Sequence, residues 1–317
     1  MSSSLKDLNM SISRRTVLTT LAGASLLPSI SHARPPAEPF KYCLNTATIR
    51  GQKLKLEQEI DVAGKAGYNA IEPWIEKLET YAKSNKLSEL SKRLNDNKLT
   101  VESAIGFAAW IVDDPTLRKK GLEDAKRAMG LVAELGGKRL AAPPVGATDA
   151  KVNIDLRQAA DRYRELLELG DKMGVVPQVE IWGFSKNISR LGEGALLAIE
   201  ASHPKACVLA DVYHLYKGGS GFAGLKQLSA AGLQVFHMND YPDIPRDKIV
   251  DKDRVYPGDG IAPLKEILKG LYDLGFNGVL SLELFNQEYY KQDALDVAKL
   301  GLQKMKRVAH EAVGLTL

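Results

Sequence analysis

Cysteine is nearly absent from this chain: Cys43 and Cys207 are the two in 317 residues. That excludes a disulfide-stapled scaffold and a cysteine-rich zinc centre. The two fall in the first and sixth expected strands, which are not neighbours in an eight-strand ring, so each is expected to be a buried free thiol. Histidine is also scarce, with His203, His214, His237 and His310 left after the first 33 residues. A centre of several metals rich in imidazole is therefore disfavoured. Charge of one sign is lacking too. The formal net charge is +4, with Lys and Arg spread along the chain, which is no footprint for nucleic acid. No run beyond residue 33 is long and apolar enough to cross a bilayer. A glycine-rich phosphate loop is missing after the first strand, where Asn45-Thr46-Ala47-Thr48 stands instead. That argues against an open dinucleotide-binding sheet.

The N-terminus has the marks of a leader. Lys6 and Arg14-Arg15 precede an apolar run from Val17 to Leu27, and Ser31-His32-Ala33 offers small residues at a cleavage site. The run is too short to span a membrane unaided. Ser13-Arg14-Arg15-Thr16-Val17-Leu18 is similar to a twin-arginine export signal, with Val17 where that pattern prefers Phe. Residues 1–33 are read as the signal, residues 34–39 as a disordered lead-in and residues 40–317 as the folded domain. The expected location is the periplasm, with no stable membrane insertion once the signal is removed. Removing Lys6, Arg14 and Arg15 together with Asp7 takes the formal charge from +4 to +2.

What is present is a repeated strand-helix unit. Strands are expected at 41–46, 69–74, 99–106, 139–143, 175–181, 206–211, 233–240 and 278–284. Helical patterns are expected between them, at 54–66, 87–97, from Thr116, at 154–172, 193–201, 222–231 and 263–274, and then at 293–309. Gly67, Gly136, Gly174, Gly232 and Gly275 follow helices as stop signals. Eight units without a linker predict an α/β fold, a single-domain (β/α)8 TIM barrel.

Four of the later strands close on metal-ligand types: Glu180, Asp211, His237 and Glu283. Side chains alternate along a strand. Glu283 shares a face with Ser281 and Val279, opposite Leu280, Leu282 and Leu284. Leucines on the outer face would pack on helices, so Glu283 points inward. His237 likewise falls with Val235 and Asn239, and Asp211 with Leu209. Strand C-terminal ends are where barrels carry chemistry. A buried, unpartnered carboxylate costs several kcal/mol, and strands five to eight offer no inward basic residue. The four are therefore expected to bind one divalent ion. A hard, oxygen-rich set with one imidazole suits Mn²⁺ best, with Mg²⁺, Co²⁺ or Zn²⁺ as alternatives. Glu180 and Glu283 are the candidate catalytic carboxylates, one removing a proton beside a carbonyl and the other returning it through a metal-bound enediolate. Glu72 ends the second strand and is a candidate substrate contact, against pairing with a nearby Lys; Trp74, Trp110 and Trp182 follow strand ends and are candidate substrate contacts, against ordinary rim packing. Lys217-Gly218-Gly219-Ser220-Gly221 reads as a flexible lid.

At these residues the chain resembles the xylose isomerase-like barrel superfamily, whose members include ketose 3-epimerases and inosose isomerases and dehydratases. Glu180, Asp211, His237 and Glu283 match that group's Glu, Asp, His, Glu set in order and strand. Asp211-Val212-Tyr213-His214 matches its Asp-x-x-His, which implies that His214 contacts substrate. Tyr256-Pro257-Gly258-Asp259-Gly260 matches its Pro-Gly-x-Gly loop. Two departures fall in the substrate pocket. Lys186 stands where the epimerases carry a second Glu, and an insertion leaves Arg246 or Arg254 to replace their substrate Arg. The resemblance implies a metal-dependent isomerase or epimerase of a non-phosphorylated ketose or keto-sugar. The alternative is a lyase or dehydratase acting on a 3-keto-glycoside or inosose. A sugar-binding protein without turnover and an abasic-site endonuclease are the outside readings. The expected partner is a small sugar, with a homo-oligomer left open.

Overall fold

The structure, a computed structural model, describes residues 38–315. The leader and most of the lead-in lie outside the described residues. Eight parallel strands run in the order β3-β2-β1-β8-β7-β6-β5-β4. They are β1 (Lys41–Asn45), β2 (Ala70–Glu72), β3 (Thr100–Val101), β4 (Arg139–Ala142), β5 (Val176–Glu180), β6 (Val208–Asp211), β7 (Leu233–Met238) and β8 (Val279–Leu282). A parallel bridge from Ala104 to Leu140 joins the two ends, with Ala141 N donating to Ala104 O at 2.9 Å. The ring is thereby closed, as a TIM barrel requires.

The alternation read from the sequence holds. Cys43, Ala70, Ile105, Ala141, Leu209, Val235 and Val279 form one cluster inside the ring. Leu280, Leu282, Phe236 and Met238 pack outward with the helices. Those helices are α1 (Leu56–Ala66), α2 (Ile75–Ala82), α3 (Leu87–Asp96), α4 (Pro115–Glu134), α5 (Leu156–Met173), α6 (Leu191–Glu200), α7 (Val212–Gly218), α8 (Leu264–Asp273) and α9 (Ala294–Val313). Asp114, Asp155 and Asp293 cap α4, α5 and α9, each accepting two backbone N–H groups. Both cysteines are buried and free, as expected.

Four details depart from the expectation. The second unit carries two helices, α2 and α3. The stretch 222–231 is a 3-10 helix over Phe222–Gln227, because α7 already turns directly off the end of β6. The supposed lid around Gly219 is the C-cap of α7. Leu191 N donates to Ser220 Oγ at 2.8 Å and Arg190 to Gly219 O at 3.0 Å, which ties it to the start of α6. Finally, Glu38, assigned to the lead-in, is held by Lys306 and His310 of α9 at 2.8 Å each. Those two bases lie four residues apart on one helix face.

Candidate active site

Register decides which strand-end side chains meet. Asp211 of β6 pairs directly with His237 of β7, and His237 with Ser281, two residues before Glu283. Glu180 instead pairs with Leu209, two residues short of Asp211. As a result Asp211, His237 and Glu283 each place one ligand atom within 4.8 Å of the others, all three buried. Glu180 stands outside that group. It lines the adjoining cavity, and its Oε2 is buried with no hydrogen-bond partner among the described residues.

Each member of the trio is oriented by a polar neighbour. Asp211 Oδ1 caps α7, accepting from His214 N at 2.8 Å, and Asn239 Nδ2 donates to Asp211 Oδ2 at 2.9 Å. Asn45 Nδ2 donates to Glu283 Oε1 and to Glu72 Oε2, both at 3.0 Å. His237 Nε2 lies 3.0 Å from Glu72 Oε2, which also accepts from Ser281 Oγ at 2.7 Å. Glu72 is thus no sugar contact. It is fully buried behind His237 and fixes the imidazole through Nε2, leaving Nδ1 to face Asp211 and Glu283. Nδ1 itself makes no hydrogen bond.

The positive charge in the trio comes from a residue the strand pattern could not supply. Arg254, in the loop after β7, is fully buried and places Nη1 2.9 Å from both Asp211 Oδ2 and Glu283 Oε2. Its Nη2 donates to Asp251 Oδ1 at 2.7 Å and lies 3.1 Å from His214 Nε2. The Pro-Gly-x-Gly loop anchors this segment. The Asp240 carboxylate accepts from the backbone N–H of Tyr241, Gly258, Gly260 and Ala262. Gly258 has φ +85°, and a Cβ on Gly260 would stand 2.4 Å from Asp240 Oδ1, so neither position tolerates a side chain. Asp240 N and Val255 O pair beside Arg254.

Electrostatically the two site glutamates differ. Burial pushes the Glu180 carboxyl up to about 8, against the charge of His237 and with that of Glu283. Burial would also raise Glu283, but the charges of His237 and Arg254 outweigh it and hold the group well below the usual carboxylate range. Burial raises Asp211 against the opposing charge of Arg254. Desolvation would lower His237, yet Glu283 and Glu72 hold it well above the ordinary imidazole range. His214 is lowered by burial and by Arg254.

A divalent ion fits this donor set. Glu283 Oε2 and Asp211 Oδ2 lie 3.2 and 3.8 Å from His237 Nδ1, the orphaned buried nitrogen, while Oε1 and Oδ1 are tied to the fold. Arg254 Nη1 already marks that spot as one for positive charge. An ion there would replace the guanidinium as partner of both oxygens, and a proton on Nδ1 would be its alternative.

Of the other expected contacts, Trp74, Trp182, His214 and Arg254 line the cavity, which has a volume of about 190 Å³. Trp74 is held by Asn45 Oδ1 at 3.3 Å and by Arg50 stacked at 4.4 Å. Trp110 does not reach the cavity. It is core, donating from Nε1 to Ala142 O and Pro143 O at 3.2 and 3.0 Å. Arg246 lies over Tyr216 instead, and Lys186 is exposed. Sequence reasoning missed Asn45, Asp251, Phe107, Phe184 and Phe285. Asn45 alone carried a signal, as a polar residue at the end of the first strand.

The family model for the Xylose isomerase-like TIM barrel matches residues 60–308. The chain belongs to that family. Among xylose isomerase-like proteins, an inosose isomerase of Bacillus velezensis is 27% identical over 273 residues, covering 85% of this chain and 97% of the relative. A 3-dehydroshikimate dehydratase of Pseudomonas putida is 22% identical over 252 residues, 79% of this chain but 39% of its own length. A crystal structure of IOLI protein with a bound zinc atom superposes with TM-score 0.81 at 25% identity, covering 86% of this chain and 99% of that one. An L-ribulose 3-epimerase shares the fold, with TM-score 0.71 at 16% identity, over 87% and 96% of the two chains. The zinc-bound relative and the Asp211–His237–Glu283 set together point to a divalent metal.

Proposed function

We propose that this chain is a metal-dependent isomerase that moves a carbonyl between adjacent carbons of a non-phosphorylated keto-sugar or inosose. The observation that carries the reading is the unequal engagement of two glutamates in one cavity. Glu283 has Oε1 tied to Asn45 and Oε2 beside His237 Nδ1, where an ion would replace the Arg254 guanidinium, so Glu283 acts as a ligand. Glu180 lines the cavity, leaves Oε2 without a hydrogen-bond partner among the described residues, and acts as the base. This differs from two symmetric acid-base glutamates, and it favours isomerisation, in which one base serves both proton transfers, over epimerisation.

Asp211, His237 and Glu283 would hold the divalent ion, which supplies Lewis-acid polarisation of the substrate carbonyl. Mn²⁺ is our expected occupant. The Glu180 carboxylate takes the proton from the carbon next to the carbonyl. The electron pair moves onto the carbonyl oxygen, giving an enediolate. The O–H proton of the neighbouring hydroxyl passes to the former carbonyl oxygen, that neighbouring C–O becomes the new carbonyl, and Glu180 returns its proton to the former carbonyl carbon, from the same face. His214 lines the cavity and accepts from Gly183 N at 3.3 Å through Nδ1, which turns Nε2 toward the cavity and Arg254. It and Trp74 orient the ring hydroxyls. The inosose isomerase relatives support this reading. The dehydratase relative supports a second outcome, in which a substrate with a leaving group on the β-carbon loses it after the same proton abstraction. We place the enzyme in the periplasm, exported by the twin-arginine leader.

The test is incubation of Mn²⁺-loaded protein with inososes, ketoses and 3-keto-glycosides, methyl and phenyl ones among them, in D₂O. Deuterium beside the carbonyl, in a product with the carbonyl moved by one carbon, supports the reading. An epimer of unchanged carbonyl position, or no exchange in any substrate, contradicts it.

A further inference from the structure

Five of the residues that line the cavity form a row of rings. Ring centroids run from Phe285 to Trp74 at 6.4 Å, Trp74 to Phe107 at 5.1 Å, Phe107 to Trp182 at 6.2 Å and Trp182 to Phe184 at 5.2 Å. Trp74 and Trp182 are half-buried at the base of this row. Phe107 and Phe184 at its outer edge are 46% and 44% exposed. Both come from loops after strand ends, and both lean on Trp182 rather than entering the core. Apolar surface left in water is unfavourable by an amount that grows with its area, and here it borders the cavity that holds Glu180 and Glu283.

A bare polyol would use this wall poorly. It presents one C–H face to one ring, while its hydroxyls would be desolvated against Phe107 and Phe184 without a hydrogen-bond partner. A flat apolar group attached to the sugar has no such penalty. We infer that the substrate is a keto-sugar carrying an aromatic substituent, with the sugar ring over Glu180 and the aromatic group between Phe107 and Phe184 against Trp182. Phe107 and Phe184 are then specificity residues, and Glu180 is the base, as assigned above. Stacking of this kind contributes roughly a 2- to 12-fold gain in affinity per ring.

Binding separates this inference from the chemistry. Wild-type protein with Mn²⁺ is titrated by calorimetry with phenyl and methyl β-glucosides, which carry no carbonyl and cannot react. Phenyl glucoside is expected to bind about tenfold or more tightly than methyl glucoside, with the preference lost in Phe107→Ala and Phe184→Ala. Both residues are exposed, so the variants should melt like wild type. Equal affinity for the two glucosides, no saturable binding of the phenyl compound, or a preference that survives both substitutions would overturn the inference. Failure of proton exchange in D₂O would instead contradict the isomerase reading and leave this binding result standing.

Discussion

Near the start of β4 and β7, Glu102 accepts from Lys138 at 3.0 Å and Arg139 at 3.2 Å, and Arg139 donates to Gln234 at 2.7 Å. At the opposite mouth, Asp211 and Glu283 share one guanidinium nitrogen while His237 Nδ1 and Glu180 Oε2 have no partner. Both ends bury acids. The floor neutralises its acid with two bases adjacent in sequence, at the start of one strand. The mouth borrows one base from a distant loop and leaves donor atoms over. A closed polar network braces a barrel, whereas an incomplete one marks a place where something else must bind.

The sharpest way to break this contrast is Glu180→Gln. Proton exchange should fall by about 10²–10⁴-fold, the usual contribution of a general base. The melting temperature should hold, since no partner is lost; a large fall in stability would mean that Glu180 braces the mouth. Arg254→Met should cost roughly 3–5 kcal/mol in metal-free protein, because it strands two buried carboxylates. The same variant should gain more from added Mn²⁺ than wild type does, read as a larger thermal shift. A variant as stable as wild type without metal would show that Arg254 is not the internal counter-charge.

The strand-helix repeat and the inward positions of Asp211, His237 and Glu283 were legible because alternation fixes a side chain's face from sequence alone. Register is a relation between strands, so nothing local announced that Glu180 aligns with Leu209. Arg254 reaches the trio from the loop after β7 through a turn built by Asp240 and two glycines, and that path was not visible in the spacing. Glu72 sits at a strand end as a substrate contact would, and only its three partners show that it orients His237.

Smaller effects sharpen the same comparison. Glu72→Gln should weaken metal binding by about 10–100-fold, as outer partners of ligating imidazoles do; calorimetry would detect an unchanged affinity if Glu72 only packs. At the floor, Glu102→Gln should cost about 1–3 kcal/mol and leave metal affinity alone. Burial would raise the Glu102 carboxyl, but Lys138 and Arg139 carry it below its usual value of 4.5. Its stabilisation is therefore present above that pH and is lost as pH falls through the lower folded value. Denaturant midpoints from pH 3 to pH 7 should show wild type and variant converging at the acid end. A gap that persists there would mean that Glu102 acts by packing alone.

The most direct measurement is calorimetric titration of metal-free protein with Mn²⁺ at neutral pH. One equivalent should bind to wild type and to Glu102→Gln, with none binding to His237→Gln of native circular dichroism. Saturable binding that survives in His237→Gln, or its absence from wild type, would contradict a cation site at the barrel mouth.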